Sequence, residues 1–201
     1  MKTEEEREKT AGKGAAVWFT GLPGCGKSTL ARAVREELKK WGVDVVLLQM
    51  DRRRKAYFKK PTYSPEERRE AYRRFAEEAA ELTRQGRVVL MDGSGHELAM
   101  RRYARGLIER FAEVHLKCPV RTAMQREASR PEGMVMAGLY AKAIKRKATG
   151  EQFDGLGEVI GVDVPFEEDE RAELTLDAAN TDAKAMREAV IAQFAVWLPH
   201  R

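Results

Sequence analysis

The sequence predicts an α/β fold with three layers, in which a parallel sheet of about five strands is covered by helices on both faces. Short apolar runs rich in β-branched residues alternate along the 201-residue chain with stretches whose apolar residues recur every three or four positions. A glycine-rich segment, GLPGCGKSTL at 21–30, stands between the first apolar run and the first helical stretch. Two later apolar runs end in aspartates, Asp51 and Asp92.

The predicted elements follow in order from composition and periodicity. The strands are expected at 15–20, 43–51, 87–92, 112–117 and 173–178. The helices are expected at 28–42, 64–86, 97–110, 119–128, 139–150 and 181–198, with a loop or short helix near 52–63. The helix at 64–86 has the clearest start, because Ser64 can cap it, Pro65 suits its first turn and Glu67 completes a capping box.

The domain organisation follows from the regular and irregular stretches. The first 14 residues are polar and are predicted to form a flexible tail, and 15–201 to form one domain. The stretch from about 126 to 170 has little periodicity, so it is predicted to be a lid or substrate loop of that domain.

The glycine-rich segment has the spacing G-x-x-x-x-G-K-[ST], which is typical of a phosphate-binding loop. Such a loop turns backbone N–H groups toward a triphosphate, and glycine adopts the required dihedral angles without a Cβ clash. A lysine at this place can reach the β- and γ-phosphates, and the following hydroxyl can bind Mg²⁺. Together with the flanking strand and helix, the segment predicts a P-loop NTPase fold that binds ATP and Mg²⁺. The predicted nucleotide-binding residues are Gly21, Gly24, Gly26, Lys27, Ser28 and Thr29.

Composition excludes several partners and settings. The net charge is +5, but Lys and Arg are interleaved with Glu along helical stretches, so nucleic acid is not an expected partner. No apolar run approaches the roughly 20 residues of a membrane span, so no membrane partner is expected. Cys25 and Cys118 lie far apart without a metal-binding pattern, and the N-terminus lacks the apolar stretch of a signal peptide. A cytoplasmic location is the simplest expectation.

A small-molecule kinase explains the remaining polar residues better than a GTPase or a motor does. The chain is short for a motor and lacks an NKxD guanine signature. Asp51 and Asp92 follow predicted strands, where ligands of open α/β sheets bind. Asp51 could orient or deprotonate an acceptor hydroxyl, and Asp92 could hold Mg²⁺ or instead cap a following helix. Arg54, Arg68 and Arg73 could converge on an anionic acceptor, although Arg73 also suits an ordinary charged face.

At this point the chain resembles the adenylylsulfate (APS) kinase family, which phosphorylates the ribose 3′-hydroxyl of APS with ATP. GLPGCGKSTLA matches that family's GLSGAGKSTLA, LQMDRRR at 48–54 matches LDGDxxR, and YSPEERREAYRR at 63–74 matches FSxxDRxENIRR. GLYAKA at 138–143 and GVDVPFEEDERAEL at 161–174 match the family's lid patterns GLYKKA and FTGIDDPYExPxxPEL. The resemblance runs from about residue 15 to 177 in the family's motif order.

The resemblance implies further roles. Lys27 and Asp51 would be catalytic, Arg126 would lie near the nucleotide base, and Lys142 would approach the phosphates as the lid closes. Phe153 matches loosely the phenylalanine that stacks on the substrate adenine. The implied acceptor is a small molecule, and a homodimer is compatible with the sequence.

Four departures from the family pattern concern the acceptor side. Gln49 replaces the first aspartate of LDGDxxR, and Ala71 replaces the asparagine of ENIRR. The segment 91–102 replaces ISPYRxDR, and about ten residues near 130–138 are inserted. Within the replaced segment Ser94 and His96 are candidate substrate contacts; His96 could act as a base, bind an anion or lie exposed on a tight turn.

Three hypotheses on function remain open from the sequence. The first is an APS kinase that produces PAPS. The second is a related kinase with a different nucleotide or another phosphorylated or sulfated metabolite as acceptor, which the changes at Ala71 and in the segment 91–102 favour. The third is a nucleotide-binding regulatory module that turns over ATP slowly or not at all.

Overall fold

The computed structural model describes residues 14–129 and 138–195 and contains the predicted three-layer α/β architecture. Five parallel strands are arranged in the order β2-β3-β1-β4-β5. Their bounds are β1 Ala15–Thr20, β2 Val45–Gln49, β3 Val88–Asp92, β4 Phe111–Lys117 and β5 Leu174–Asp177. The fold class and the number of strands expected from the sequence are therefore confirmed.

Helices connect the strands on both faces of the sheet. Those within the described ranges are α1 Lys27–Lys40, α2 Met50–Tyr57, α3 Pro65–Arg84, α4 Leu98–Leu107, α5 Val120–Ala128, α6 Leu139–Thr149 and α7 Ala183–Phe194. The boundary near residue 50 differs from the prediction, because β2 ends at Gln49 and α2 begins at the next residue. Asp51 therefore lies in the first turn of a helix rather than at the end of a strand.

Alternation along the central strand divides the interior into two cores. Trp18 and Phe19 are both fully buried, and they belong to different clusters on the two faces of the sheet. Trp18 packs against the rings of Tyr72, Phe75 and Phe111, at centroid distances of 5.7, 5.8 and 6.3 Å. The strands of this sheet are covered on both sides, which explains why they are almost continuously apolar.

Ser64 caps the start of α3 as predicted, but Glu67 does not complete the predicted capping box. The Ser64 hydroxyl accepts a hydrogen bond from the Glu67 backbone N–H at 3.2 Å. The Glu67 carboxylate does not return to the Ser64 N–H as a capping box requires. It accepts instead from the backbone N–H groups of Thr62 and Tyr63, and so fixes the chain that leads into the helix.

Two predicted segments fall partly outside the described residues. The tail predicted over 1–14 is described only at Gly14, and the insertion near 130–138 only at Gly138. Within 14–129 and 138–195, none of the helices combines the length and the apolar character that a membrane crossing requires.

Candidate active site

The carboxyl ends of β1, β2 and β3 open into one cavity of about 660 Å³. Strands β2 and β3 lie on one side of β1 within the sheet, and β4 and β5 lie on its other side. The chain passes from β1 to β2 in one direction across the sheet, and from β3 over β1 to β4 in the opposite direction. Such a reversal leaves a crevice between the connections, and open α/β sheets bind ligands there. The cavity is bounded by the glycine-rich loop, the start of α2, the turn after β3 and the segment 158–160.

The glycine-rich loop needs its glycines for two independent reasons. Gly21 and Gly24 have φ angles of +128° and +87°, which side-chain-bearing residues rarely adopt. A Cβ on Gly24 would also lie 2.3 Å from the Ala123 carbonyl oxygen, and one on Gly21 would lie 2.5 Å from the Leu116 carbonyl oxygen. The loop is therefore held tightly against β4 and α5, and its backbone faces the cavity.

The lysine and the two hydroxyl residues of the motif lie where the loop enters α1. Lys27 is 8% exposed, and its Nζ donates to the carbonyl oxygens of Gly21 at 3.0 Å and Leu22 at 2.7 Å. Ser28 and Thr29 occupy the first turn of α1, and both line the cavity. The unpaired N–H groups and the dipole of a 14-residue helix favour an anion at this end.

Two carboxylates line the same cavity as this loop. Asp92 is the last residue of β3 and is 6% exposed, and its Oδ2 accepts a hydrogen bond of 3.0 Å from Gln49 Nε2. Asp51 is exposed in the first turn of α2 and lines the same cavity. The alternative in which Asp92 caps the next helix does not hold, because α4 begins only at Leu98 and its cap position is Glu97.

The oxygen atoms at this place fit a magnesium ion. Ser28 supplies a hydroxyl and Asp92 a carboxylate, and both are the hard oxygen donors that Mg²⁺ prefers. In the part of the chain that the structure describes, no group of three or more His, Cys, Asp or Glu side chains could enclose a metal ion. This donor set suits Mg²⁺, which usually keeps several waters and takes other ligands from substrate phosphates.

Arg68 is the arginine of α3 that reaches the cavity. Its side chain is buried, and Nη2 donates to the Glu158 backbone carbonyl at 2.6 Å. Its other terminal nitrogen, Nη1, is buried without a hydrogen-bond partner among the described residues. Burial is the largest cause of the lowered pKa of this guanidinium. A buried, incompletely paired cation at the cavity wall suits an anionic ligand.

The other two predicted arginines are placed differently. Arg54 is buried behind the wall, where Nη1 binds Glu67 Oε1 at 2.9 Å and the guanidinium lies 4.9 Å from the Tyr63 ring centroid. Tyr63 lines the cavity with a φ of +59°, so Arg54 supports a strained residue of the wall. Arg73 is exposed and is ion-paired with Glu70 and Glu77, and the structure does not bring it to the cavity.

The turn after β3 is held from three directions. Trp18 Nε1 donates to the Gly93 carbonyl at 2.9 Å, and the Arg101 guanidinium donates to the Gly95 carbonyl. The His96 carbonyl accepts from the Glu167 N–H at 2.9 Å. Gly93 and Ser94 thereby form a fixed part of the cavity wall.

His96 is buried rather than exposed on this turn. It is 5% exposed, its Nε2 lies 3.8 Å from Glu97 Oε1, and its Nδ1 has no hydrogen-bond partner among the described residues. Burial, followed by the positive charge of Arg68, lowers its pKa to about 4. The imidazole is therefore neutral near pH 7, and His96 does not line the cavity, whereas Ser94 does.

Comparisons with known proteins agree with this arrangement. The family described as adenylylsulphate kinase matches residues 13–177. A probable adenylyl-sulfate kinase of Bacillus subtilis is 34% identical over 190 residues, which cover 94% of this chain and 88% of the relative. The adenylyl-sulfate kinase of Paraburkholderia xenovorans is 35% identical over 90% of this chain and 91% of its own. This chain belongs to the adenylylsulfate kinase family.

A solved structure extends the agreement to three dimensions. The APS kinase of Mycobacterium tuberculosis, described in complex with AMPPNP and APS, superposes with a TM-score of 0.76 at 26% identity. The match covers 91% of this chain and 98% of that one. Family membership, which the sequence motifs predicted, is confirmed.

Three positions carried over from the adenylylsulfate kinase motifs lie outside the lining of the cavity. Arg126 donates from Nη1 to the Ala178 carbonyl at 2.7 Å, next to the end of β5. Lys142 is exposed on α6. Phe153 is half-buried against the core, with the Lys145 ammonium 5.9 Å from its ring centroid. The predicted lid is thus described in part, since 130–137 lie outside the described residues.

Other residues of this adenylylsulfate kinase family member line the cavity without having been predicted. They are Pro23, Arg32, Gln49, Met50, Arg52, Tyr63, Tyr72, Gly93, Leu139, Glu158, Val159 and Ile160. Arg32 had a signal, since it follows Ser28 by four positions and so lies on the same helix face. Residues 158–160 lie within the stretch predicted to be a lid or substrate loop, but no single residue of that irregular stretch had a signal of its own.

Proposed function

We propose that this protein transfers the γ-phosphate of ATP to the 3′-hydroxyl of adenylylsulfate and produces PAPS. One observation carries the proposal: a single cavity contains the phosphate-binding loop, two carboxylates and the buried cation of Arg68. Phosphoryl transfer needs little covalent chemistry from a protein, and positioning with charge neutralisation supplies most of the catalysis.

The donor half uses the loop and α1. Lys27 exchanges its loop carbonyls for the β- and γ-phosphates, and the first N–H groups of α1 face the same charges. Ser28 and Asp92 would hold Mg²⁺, which neutralises phosphate charge when it is bound. These groups act as fixed electrostatic partners of charge that develops during transfer.

The acceptor half uses α2 and α3. Asp51 holds the acceptor hydroxyl in line with the γ-phosphate and accepts its proton. Arg68 binds the anionic group of the acceptor through Nη1, for which the described part of the chain provides no hydrogen-bond partner. Lys142, carried on α6, approaches the phosphates when the lid closes.

The test measures ADP release by the purified protein with ATP, Mg²⁺ and APS. Asp51→Asn is expected to lower kcat by about 10²- to 10⁴-fold because a positioned general base is lost, while KM for ATP is unchanged. Asp44→Asn is the matched control, because Asp44 lies just before β2 at the opposite end of the sheet. Equal losses of kcat and ATP affinity in the Asp51 variant would remove its catalytic role.

A different acceptor is the second candidate, and Ala71 favours it. The family pattern has an asparagine at this position, whereas Ala71 is fully buried in the core formed with Trp18 and Phe75. A methyl group at this place cannot replace an amide contact to substrate. Assays of a panel of nucleotides and phosphorylated metabolites beside APS distinguish the two candidate functions. ADP release with another acceptor and none with APS would overturn the proposal that APS is the acceptor.

The predictions on assembly and location stay predictions. A homodimer is expected to give twice the chain mass of 22.8 kDa in size-exclusion chromatography with light scattering. A cytoplasmic location is testable by fractionation of the source cells.

A further inference from the structure

Gln49 and Asp92 form a pair across two neighbouring strands. They are register partners at the ends of β2 and β3, and Gln49 Nε2 donates to Asp92 Oδ2 at 3.0 Å. Both side chains line the cavity that contains Lys27 and Ser28. The pair therefore belongs to the phosphate end of the site, although the two residues are 43 positions apart.

The sequence pattern gives this pair a specific meaning. The family pattern LDGDxxR has a carboxylate at the position of Gln49, and here that position has an amide. A carboxylate is present one strand away, at Asp92, within the segment 91–102 that replaces ISPYRxDR. Since parallel strands in register bring their ends together, the two positions occupy neighbouring points of the same cavity edge.

The two side chains of the pair suit different roles toward a metal ion. A carboxylate carries the negative charge that a hard divalent cation prefers, whereas an amide carries none. The Gln49 amide N–H donates to one carboxylate oxygen, Oδ2, and so restrains the orientation of the carboxylate. Asp92 is also nearly buried, so this neutral donor compensates for part of its lost hydration.

We propose that Gln49 is the positioning residue of the magnesium-holding carboxylate Asp92, and that the carboxylate is exchangeable between position 49 of β2 and position 92 of β3, because these are neighbouring points of the same cavity edge. The proposal rests on the proposed ATP- and Mg²⁺-dependent function, but it does not depend on the identity of the acceptor. It also explains why two departures from the family pattern occur at neighbouring points in space.

The experiment compares single and exchanged variants in nucleotide binding, without an acceptor. The affinity of each variant for a fluorescent ATP analogue is measured over a Mg²⁺ titration, and the apparent Mg²⁺ affinity is extracted. Gln49→Ala keeps the carboxylate but removes its orientation, so about a 10-fold loss of Mg²⁺ affinity is expected. Asp92→Asn is expected to lose more than that, and analogue binding without Mg²⁺ is expected to stay intact in both variants.

The exchanged variant decides the proposal. Gln49→Asp combined with Asp92→Asn returns the carboxylate to β2 and keeps an amide beside it. It is expected to recover most of the Mg²⁺ affinity that Asp92→Asn loses. Asp44→Asn, which changes an exposed carboxylate just before the start of β2, is expected to behave like the unmodified protein.

Two outcomes would overturn the exchange. One is a double variant with no more Mg²⁺ affinity than Asp92→Asn, although thermal melting shows that both are folded. The other is an Asp92→Asn variant with unaltered Mg²⁺ affinity. Failure of the APS activity is a separate result, because an unmodified protein that binds Mg²⁺ and the analogue but does not phosphorylate APS contradicts only the proposed acceptor.

Discussion

Removing Arg101 is expected to be among the most damaging single changes in this protein. Its side chain is 1% exposed, and its Nε lies 3.0 Å from Oε2 of Glu113, which is fully buried. The guanidinium also donates to the carbonyls of Gly95 and Glu167, and it therefore ties the turn after β3 to the segment near residue 167. Arg101→Met removes all three interactions at once.

The magnitude follows from the burial of the pair. Removal of one partner of a buried ion pair costs about 3–5 kcal/mol, because the remaining charge stays buried without compensation. With an unfolding entropy of about 2.1 cal/mol/K per residue, a chain of 201 residues is expected to lose roughly 7–12 °C of Tm. Arg105→Met is the matched control on the same helix, since Arg105 and Glu173 are each about a quarter exposed. Its expected loss is about 1 kcal/mol, or roughly 2 °C.

The pH dependence of this loss has a definite sign. Burial already raises the pKa of Glu113, and without Arg101 the protonated form is favoured further. Between the ordinary glutamate pKa and the raised value, the folded variant binds a proton that the unfolded chain releases. Its stability therefore falls as pH rises through this window, and the loss of Tm is smaller near pH 5 than near pH 8.

Differential scanning fluorimetry and urea unfolding measure both effects. Adding Glu113→Gln to Arg101→Met removes the uncompensated charge and keeps an acceptor for the Thr20 hydroxyl, which now donates to Glu113 at 2.7 Å. The double variant is expected to recover about 2–3 kcal/mol of coupling energy. Equal losses of stability in Arg101→Met and Arg105→Met, or a further loss on adding Glu113→Gln, would show that the burial of this ion pair does not set its contribution.

Three further predictions concern the loop, a buried histidine and a helix cap. Gly24→Ala is expected to destabilise the fold and weaken ATP binding in titration calorimetry, because its Cβ would meet the Ala123 carbonyl oxygen at 2.3 Å. Gly155→Ala is the control and should cost only about 1 kcal/mol, because no other atom of the described ranges lies within 4 Å of its added Cβ. Burial lowers the His115 pKa to about 4, so between about pH 4 and pH 6.5 the folded protein binds fewer protons than the unfolded chain and Tm rises with pH. His115→Phe is expected to make this rise of Tm less steep. An unchanged slope of Tm against pH would contradict the contribution of His115. Ser64→Ala is expected to cost about 1 kcal/mol in urea unfolding, and a loss below the error of the measurement would show that the cap is dispensable.

Helical periodicity distinguishes the buried Arg68 of α3 from the exposed Arg73. Arg68 shares a face with Tyr72 and Phe75, which follow it by four and seven positions, and all three are buried. Arg73 is five positions from Arg68, a rotation of about 140° around the helix, and it is exposed. The sequence therefore contained the information that separates the two, although the family motif grouped them together.

Burial of polar groups could not be predicted in the same way. His96 and Arg68 are neighbours in the fold, and the charge of Arg68 contributes to the lowered pKa of His96. They are 28 positions apart in the sequence, on different elements. A pKa depends on what lies across the space around a group, and no local pattern records that.

The sequence by itself determined the phosphate-binding loop, the alternation of strands and helices, and the cap at Ser64. These features depend on dihedral preferences and contacts within a few residues, which the local order of amino acids specifies. Only the tertiary structure decided that Gln49 faces Asp92, that Arg54 lies behind Tyr63, and that residues 158–160 complete the cavity. The strand order and the packing of distant segments place these groups together, and they result from burial of the whole chain rather than from any one stretch of it.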